Sequence, residues 1–157
     1  MLGDGRKDEV EMIRRSNVSL SRGTALYADR SILARGNKLV YVLLADKKIR
    51  YREGRSRIVY IGTTRNGSSR IAASVAWRAE EILRWPGVLS LDARALTCRP
   101  RQNVKTWLIL EKALLIAFRE HFGEVPRCNI HGKGIRATHH FSYFSRQRLV
   151  DIIEDLS

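Results

Sequence analysis

Residues 38–62 read KLVYVLLADKKIRYREGRSRIVYIG, and this stretch decides the fold. It contains two apolar runs rich in β-forming residues, KLVYVLLA and IVYIG, on either side of a charged segment. Short apolar runs of this composition, bounded by polar residues, predict two strands of one hairpin. The charged segment is longer than a tight turn needs, so the sequence predicts a basic hairpin tip that contains Lys47 and Lys48.

The residues after the hairpin predict a helix, a third strand and a second helix. Ser68 or Ser69 can cap the first helix, which ends at the Trp85-Pro86-Gly87 segment. The segment VLSLDARALTC, residues 88–98, alternates apolar and polar side chains and predicts the third strand. Gly123 ends the second helix. The residues expected on the packed faces are Ile71, Val75, Ala79 and Ile82 in the first helix, and Trp107, Leu110, Leu114, Ala117, Phe118 and His121 in the second.

The two ends of the chain flank a predicted core of residues 38–130. Residues 1–37 are polar and predict an N-terminal arm, with a short helix over Glu9 to Arg15. Residues 131–157 predict a C-terminal basic loop and a last helix, which turns Leu149, Ile152, Ile153 and Leu156 inward. The predicted fold class is α/β, and more narrowly α+β, with a small three-stranded, mostly antiparallel sheet flanked by helices.

The charge balance indicates a polyanionic partner. The 157 residues include 29 Lys and Arg against 16 Asp and Glu, a formal net charge of +13. Phosphate contacts supply most of the nonspecific affinity for nucleic acid, and arginine can bond phosphate oxygens in pairs. A ribosomal or other RNA-binding protein is a further possibility, and it rests on charge alone.

The number of cysteines and the hydropathy limit the classes of protein to which the chain can belong. Two cysteines cannot build a disulfide framework, and no apolar run approaches the 18 residues that would predict a membrane span. We therefore expect a cytoplasmic protein with no membrane partner.

Five residues form an ordered pattern across the core. Tyr41 lies in the first apolar run and Tyr60 in the second, where it begins the triplet Tyr-Ile-Gly. Arg70 follows Tyr60 by ten residues, at the start of the first predicted helix, and Glu111 lies in the second. Asn129 follows in the loop after that helix. In these features the chain resembles the GIY-YIG nuclease family, although Leu39-Val40 replaces the Gly-Ile that the family has before its first tyrosine.

The resemblance implies an endonuclease that hydrolyses phosphodiester bonds, with these five residues as its catalytic set. Tyr41 would accept a proton from the attacking water, beside Tyr60, and Arg70 would hold the scissile phosphate. Glu111 would bind a single Mg²⁺, or Mn²⁺, through one carboxylate and waters. Asn129 would orient a water molecule or the glutamate.

The expected substrate is DNA, double-stranded or branched. Since one site cuts one strand, a homodimer or another protein partner remains open. The family often has a histidine one helical turn after its arginine, and this chain has Ser74 there. The alternative is therefore a nucleic-acid-binding module that keeps the fold without turnover. The basic residues expected to contact nucleic acid are Lys47, Lys48, Arg65, Arg78, Lys133 and Arg136.

A zinc site is a competing hypothesis. Its candidate ligands are Cys98, Cys128, His131, His139 and His140. Only Cys128 and His131 have the short spacing that is typical of zinc ligands, so the pattern is half complete.

Overall fold

The fold is an antiparallel sheet with helices packed against it. The computed structural model describes residues 13–21, 27–28, 38–65, 76–98, 102–130, 141 and 143–157. The strands are β1 (Ile13–Ser21), β2 (Tyr27–Ala28), β3 (Leu39–Tyr51), β4 (Gly54–Thr64) and β5 (Ser90–Cys98). The helices are α1 (76–82), α2 (Thr106–Phe122) and α3 (Arg146–Leu156).

The strands form one sheet in the order β2-β1-β5-β3-β4, and each neighbouring pair is antiparallel. The three predicted strands, β3, β4 and β5, lie side by side, which confirms the predicted three-stranded sheet with its flanking helices. The sheet extends further through β1 and β2. The short helix predicted over Glu9 to Arg15 is wrong from Ile13 onward, because these residues form β1 and pair with β5. Pairing with a neighbouring strand outweighs a weak local preference.

Strand β3 is buried on both faces over its first half. Every residue from Leu39 to Ala45 is buried, and this segment pairs with β5 on one side and β4 on the other. A strand covered on both faces needs apolar residues at consecutive positions rather than at alternate ones. This explains why the first run is continuously apolar.

The hairpin between β3 and β4 is tighter than predicted. Its turn consists of Arg52 and Glu53 alone, and Gly54 follows with a φ of 129°. The expectation of a segment too long for a tight turn is therefore wrong, because the charged residues continue both strands. Ile49 and Tyr51 are buried while Arg50 between them is exposed, which is the alternation of a half-buried strand.

A bulge between Leu44 and Ile49 shifts the register of the hairpin. The Asp46 carboxylate accepts hydrogen bonds from the Leu89 amide, at 3.1 and 3.2 Å, and the Lys47 ammonium donates to the Pro86 carbonyl. The bulge therefore anchors the segment that leads from α1 into β5.

Helix α2 ends where the hairpin turn meets it. Gly123 adopts the left-handed conformation, with a φ of 77°, and its amide donates to the Arg119 carbonyl. The Glu53 amide donates to the Phe122 carbonyl at 2.9 Å, and the Arg52 amide donates to Glu124 Oε1 at 2.8 Å. The turn thus satisfies groups at the end of α2 that would otherwise lack partners.

Helix α3 closes the fold. Ser145 caps it by accepting a hydrogen bond from the Arg148 amide at 3.3 Å. Arg146 forms an ion pair with Glu120 of α2. The predicted inner face of α3 is confirmed, because its residues Leu149, Ile152, Ile153 and Leu156 are all buried.

Candidate functional site

Two tyrosines face each other across the β3–β4 hairpin. Tyr41 lies directly opposite Gly62, and Tyr60 precedes Gly62 by two residues on the same strand. Residues opposite each other and residues two apart share a face, so both phenols project from the same side of the sheet. Their ring centroids are 5.6 Å apart with an interplanar angle of 46°. The sequence predicted one tyrosine on each strand, and in the structure the two rings lie next to each other.

Gly62 makes this pairing geometrically feasible. A Cβ atom at Gly62 would lie 2.5 to 2.8 Å from three atoms of the Tyr60 side chain, the hydroxyl oxygen among them. No side chain can be accommodated at such distances without moving the ring. Glycine therefore allows the Tyr60 ring to lie across the strand toward Tyr41.

Arg78 of α1 completes the cluster. Its guanidinium carbon lies 3.6 Å from the centre of the Tyr60 ring, within the range of a strong cation–π contact. Its Nη1 donates to the Cys128 carbonyl at 3.4 Å. Its Nε is buried and has no hydrogen-bond partner among the described residues. The sequence predicted Arg78 as a nucleic-acid contact, and no pattern within the helix indicated that it would reach the tyrosines.

The hydroxyl of Tyr60 is influenced by two neighbouring side chains, Tyr41 and Arg78. Burial, followed by the neighbouring Tyr41, raises the pKa of Tyr60 to about 12, while Arg78 acts in the opposite direction. Tyr60 is therefore a neutral phenol at any pH near 7.

Asn129 ties the loop after α2 to the edge of β4. The Ile61 amide donates to Asn129 Oδ1 at 3.0 Å, and Asn129 Nδ2 donates to the Ile61 carbonyl at 2.8 Å. The neighbouring Cys128 amide donates to the Val59 carbonyl at 2.9 Å. The loop thus satisfies the backbone groups on both sides of Tyr60 and covers the edge of the sheet. Orientation of water or of Glu111 by Asn129 stays a prediction, beside this observed structural role.

Glu111 is half-buried on α2, next to the fully buried Leu110. Burial raises the pKa of its carboxyl above the usual value, and Lys112 opposes the shift. A partly desolvated carboxylate is stabilised by a nearby cation, and Mg²⁺ is commonly bound through one or two carboxylates plus waters. Glu111 therefore fits a single-carboxylate magnesium site.

Of the candidate zinc ligands, only the side chain of Cys128 belongs to the described residues. The described residues contain no group of three or more His, Cys, Asp or Glu side chains placed to share a metal ion. Cys128 is buried, and burial followed by the nearby Glu81 raises the pKa of its thiol to about 11. The side chain of Cys98 and the residues His131, His139 and His140 lie outside the described part.

The predicted nucleic-acid contacts are spread along the hairpin. Arg65 is exposed and directly follows β4, three residues after the Gly62 that pairs with Tyr41. Lys47 and Lys48 lie in the bulge, level with Arg57, so they are eight residues of strand or about 26 Å from Arg65. Arg70, Ser74, Lys133 and Arg136 lie outside the described residues.

None of the described helices has the length and apolarity that crossing a membrane requires. In comparisons with protein-family models, curated proteins and solved structures, the chain matched none of them.

Proposed function

We propose that this protein is a Mg²⁺-dependent DNA endonuclease of the GIY-YIG type. The observation that carries the proposal is the cluster on the hairpin face, in which two phenol rings lie 5.6 Å apart and the Arg78 guanidinium lies 3.6 Å from one of them. Hydrolysis of a phosphodiester needs a group that removes a proton from water beside fixed positive charge. A tyrosine pair that adjoins a permanently charged arginine supplies both.

Tyr41 is the proposed proton acceptor. As the water oxygen forms its bond to phosphorus, one water proton passes to the ionised Tyr41 oxygen. The bond from phosphorus to the departing nucleotide oxygen breaks, and that oxygen gains a proton from solvent. Arg70 would hold the scissile phosphate with two parallel hydrogen bonds.

Glu111 would hold one Mg²⁺, or Mn²⁺, because its half-buried carboxylate is stabilised by a cation. When bound, the ion would supply positive charge beside the departing oxygen. The role of Glu111 is therefore to keep this charge at one fixed place on α2.

DNA, double-stranded or branched, is the proposed substrate, in keeping with the formal charge of +13. A homodimer or another protein partner would place two sites on one duplex and so cut both strands. A cytoplasmic location belongs to the same proposal.

The proposal is tested by cleavage of supercoiled plasmid and of branched synthetic DNA, with Mg²⁺ or with a chelator. We expect the wild type to nick or cut only with the metal. The Tyr41→Phe, Arg70→Ala and Glu111→Ala variants should lose cleavage by at least about 100-fold, which is the order expected for one proton-transfer or charge-stabilising group. Glu154→Ala removes an exposed carboxylate of α3 and is the matched control, with cleavage close to that of the wild type.

The second candidate is a binding module without turnover. It is favoured by Trp77 on α1, whose side chain is 66% exposed and whose ring centre lies 5.1 Å from the Arg78 guanidinium. An exposed aromatic beside an arginine suits stacking on an unpaired base. If the wild type binds both DNA forms with a strong dependence on salt but cuts neither with Mg²⁺ or Mn²⁺, this candidate replaces the nuclease.

A further inference from the structure

A groove along α1 lies next to the tyrosine cluster. It has a volume of about 390 Å³, which is within the range of small-ligand sites. The Arg78 guanidinium lies 3.6 Å from the centre of the Tyr60 ring and 5.1 Å from that of Trp77, so the groove adjoins the hairpin face that contains the tyrosines. Two tryptophans, two glutamates and one arginine line it: Trp77, Glu80, Glu81, Arg84 and Trp85.

The tryptophans of the groove present aromatic surface to solvent. Trp77 is 66% exposed, although tryptophan is on average a largely buried residue, and Trp85 is partly buried. Each ring has an arginine near it, with Arg78 at 5.1 Å from Trp77 and Arg127 at 5.7 Å from Trp85. Exposed aromatic rings beside arginines suit the flat faces of unpaired bases.

The charges around the groove favour a nucleotide over a cationic ligand. The carboxylates of Glu80 and Glu81 are outnumbered by the guanidinium groups of Arg78, Arg84 and Arg127. A lysine-rich peptide or a quaternary ammonium ion would be repelled by this excess of positive charge. A base joined to a phosphodiester fits both parts, since the base meets the rings and carboxylates while the phosphate meets the arginines.

The Glu81 carboxylate distinguishes among the four bases. Glu81 follows Trp77 by four residues in α1, so the two side chains lie on the same face of the helix. An ionised carboxylate only accepts hydrogen bonds, and its two oxygens can accept from two adjacent donors. On its Watson–Crick edge guanine alone presents two adjacent donors, the ring N–H and the exocyclic amino group. Guanine is therefore the base that fits beside Trp77.

We propose that the groove binds one unpaired guanine of a DNA strand, with the base stacked on Trp77 and its Watson–Crick edge at the Glu81 carboxylate. The inference rests on the proposed function for its substrate, DNA, and does not require cleavage. The Watson–Crick edge of a paired guanine is occupied by cytosine, so the groove favours branched or single-stranded DNA over intact duplex. Because Arg78 lies beside both Trp77 and Tyr60, the captured guanine adjoins the proposed catalytic face.

Fluorescence anisotropy with a chelator present measures binding without cleavage. The probes are short labelled thymidine oligonucleotides whose central base is guanine, hypoxanthine or adenine, and hypoxanthine differs from guanine only in lacking the exocyclic amino group. We expect the wild type to prefer guanine over adenine by about 10-fold, with hypoxanthine between them. Equal affinities for the three probes would overturn the inference. Tighter binding of the matching RNA probe would overturn the assignment to DNA.

Trp77→Ala should weaken binding of the guanine probe by about 10-fold because it removes the stacking surface, and Trp77→Phe should restore most of the affinity. Glu81→Gln should bring the guanine and adenine probes to nearly equal affinity, because the amide has only one acceptor oxygen. Leu89→Ala and Glu154→Gln are the matched controls, since each alters an exposed side chain outside the groove and should bind like the wild type. Unchanged binding in Trp77→Ala would overturn the inference.

Cleavage assays with Mg²⁺ separate this inference from the proposed function. Selective binding of guanine by a protein that never cuts DNA would overturn the nuclease and leave the groove as a guanine site. Cleavage by a wild type that does not distinguish the three probes would support the nuclease and overturn the groove alone. A Trp77→Ala variant that loses binding of a lysine-rich peptide but keeps that of the guanine probe would make the groove a protein-docking site and overturn the inference.

Discussion

Tyr51 and Tyr60 differ in what their hydroxyls contact, although both lie in the β3–β4 hairpin. Burial raises the pKa of each to about 12. The Tyr51 hydroxyl donates to the Ile58 carbonyl at 2.7 Å and accepts from the Arg127 amide at 3.1 Å, so both its partners are backbone groups. Tyr60 has two side chains as neighbours instead, Tyr41 and Arg78, and both influence its pKa.

The rings of the two residues also have different surroundings. Tyr51 packs edge-on against Phe118 of α2, with centroids 5.1 Å apart, and lies 6.0 Å from Phe122. Tyr60 is only partly buried and lies between Tyr41 and Arg78. A raised pKa therefore does not by itself identify a functional tyrosine. Side-chain neighbours distinguish the end of the hairpin at which the proposed chemistry would take place, and backbone partners distinguish the other end.

The largest expected effect is on stability at the Tyr51 end. Tyr51→Ala should lower the free energy of unfolding by about 3–5 kcal/mol, as aromatic truncations in cores do. Phe118 loses its ring contact, and two backbone groups lose their hydrogen-bond partner. Tyr60→Ala should cost clearly less, since Tyr60 is partly exposed. Urea denaturation of both variants measures the difference. Equal losses of stability in Tyr51→Ala and Tyr60→Ala would contradict the distinction between the two ends of the hairpin.

Alkaline pH should destabilise the folded protein through the buried phenol of Tyr51. An unfolded tyrosine ionises near pH 10, whereas the pKa of Tyr51 in the folded protein is about 12. The unfolded state therefore binds fewer protons between these values, so this contribution is fully present below pH 10 and is lost as pH rises to 12. For a shift of this size the loss is roughly 2–3 kcal/mol.

Tyr51→Phe is the variant that isolates the contribution of the Tyr51 hydroxyl to stability. It should be less stable than the wild type at pH 9, and the gap should narrow as pH rises, as urea denaturation at several pH values would measure. A gap that stays constant up to pH 12 would mean that Tyr51 ionises normally in the folded state.

Asn129→Ala should weaken the Tyr60 end by about 2 kcal/mol. The substitution leaves the Ile61 amide and carbonyl without their side-chain partners, and an orphaned buried group typically costs about 1–3 kcal/mol. Urea denaturation measures the loss, and cleavage per folded molecule shows whether Asn129 does more than hold the loop. Full stability in this variant would contradict the structural role.

Gly62→Ala should give the smallest change in stability, about 1 kcal/mol, through the clash of its Cβ with the Tyr60 ring. Its diagnostic effect is local: the Tyr60 ring resonances should shift while those of Tyr51 stay unchanged. A variant whose Tyr60 resonances match the wild type would show that the ring is not held across Gly62.

Sequence patterns predicted the elements well where burial imposes a period. The face of α2 contains the predicted Leu110, Leu114 and Phe118, all fully buried, and its end falls at Gly123 as expected. The tight turn at Arg52 and Glu53 was missed, although the alternation of Ile49, Arg50 and Tyr51 indicates a continuing strand.

The candidate site was predicted in part. The tyrosine pair followed from two apolar runs, each with one phenol. Arg78 could not be assigned to that pair, because it is 18 residues beyond Tyr60 and approaches it only when α1 packs beside β4. The dual hydrogen bonding of Asn129 was equally hidden, since it depends on a loop that lies along a sheet edge.

The sequence by itself determined the strands β3, β4 and β5, the buried face of α3 and the basic character, because hydrophobic periodicity and charge are local properties of the chain. The tertiary structure alone decided that β1 joins the sheet, that the hairpin turn meets the end of α2, and that Arg78 stacks on Tyr60. Each of these contacts joins residues distant in sequence. Their free energy depends on which groups the fold brings within a few ångströms, and no pattern along the chain records that.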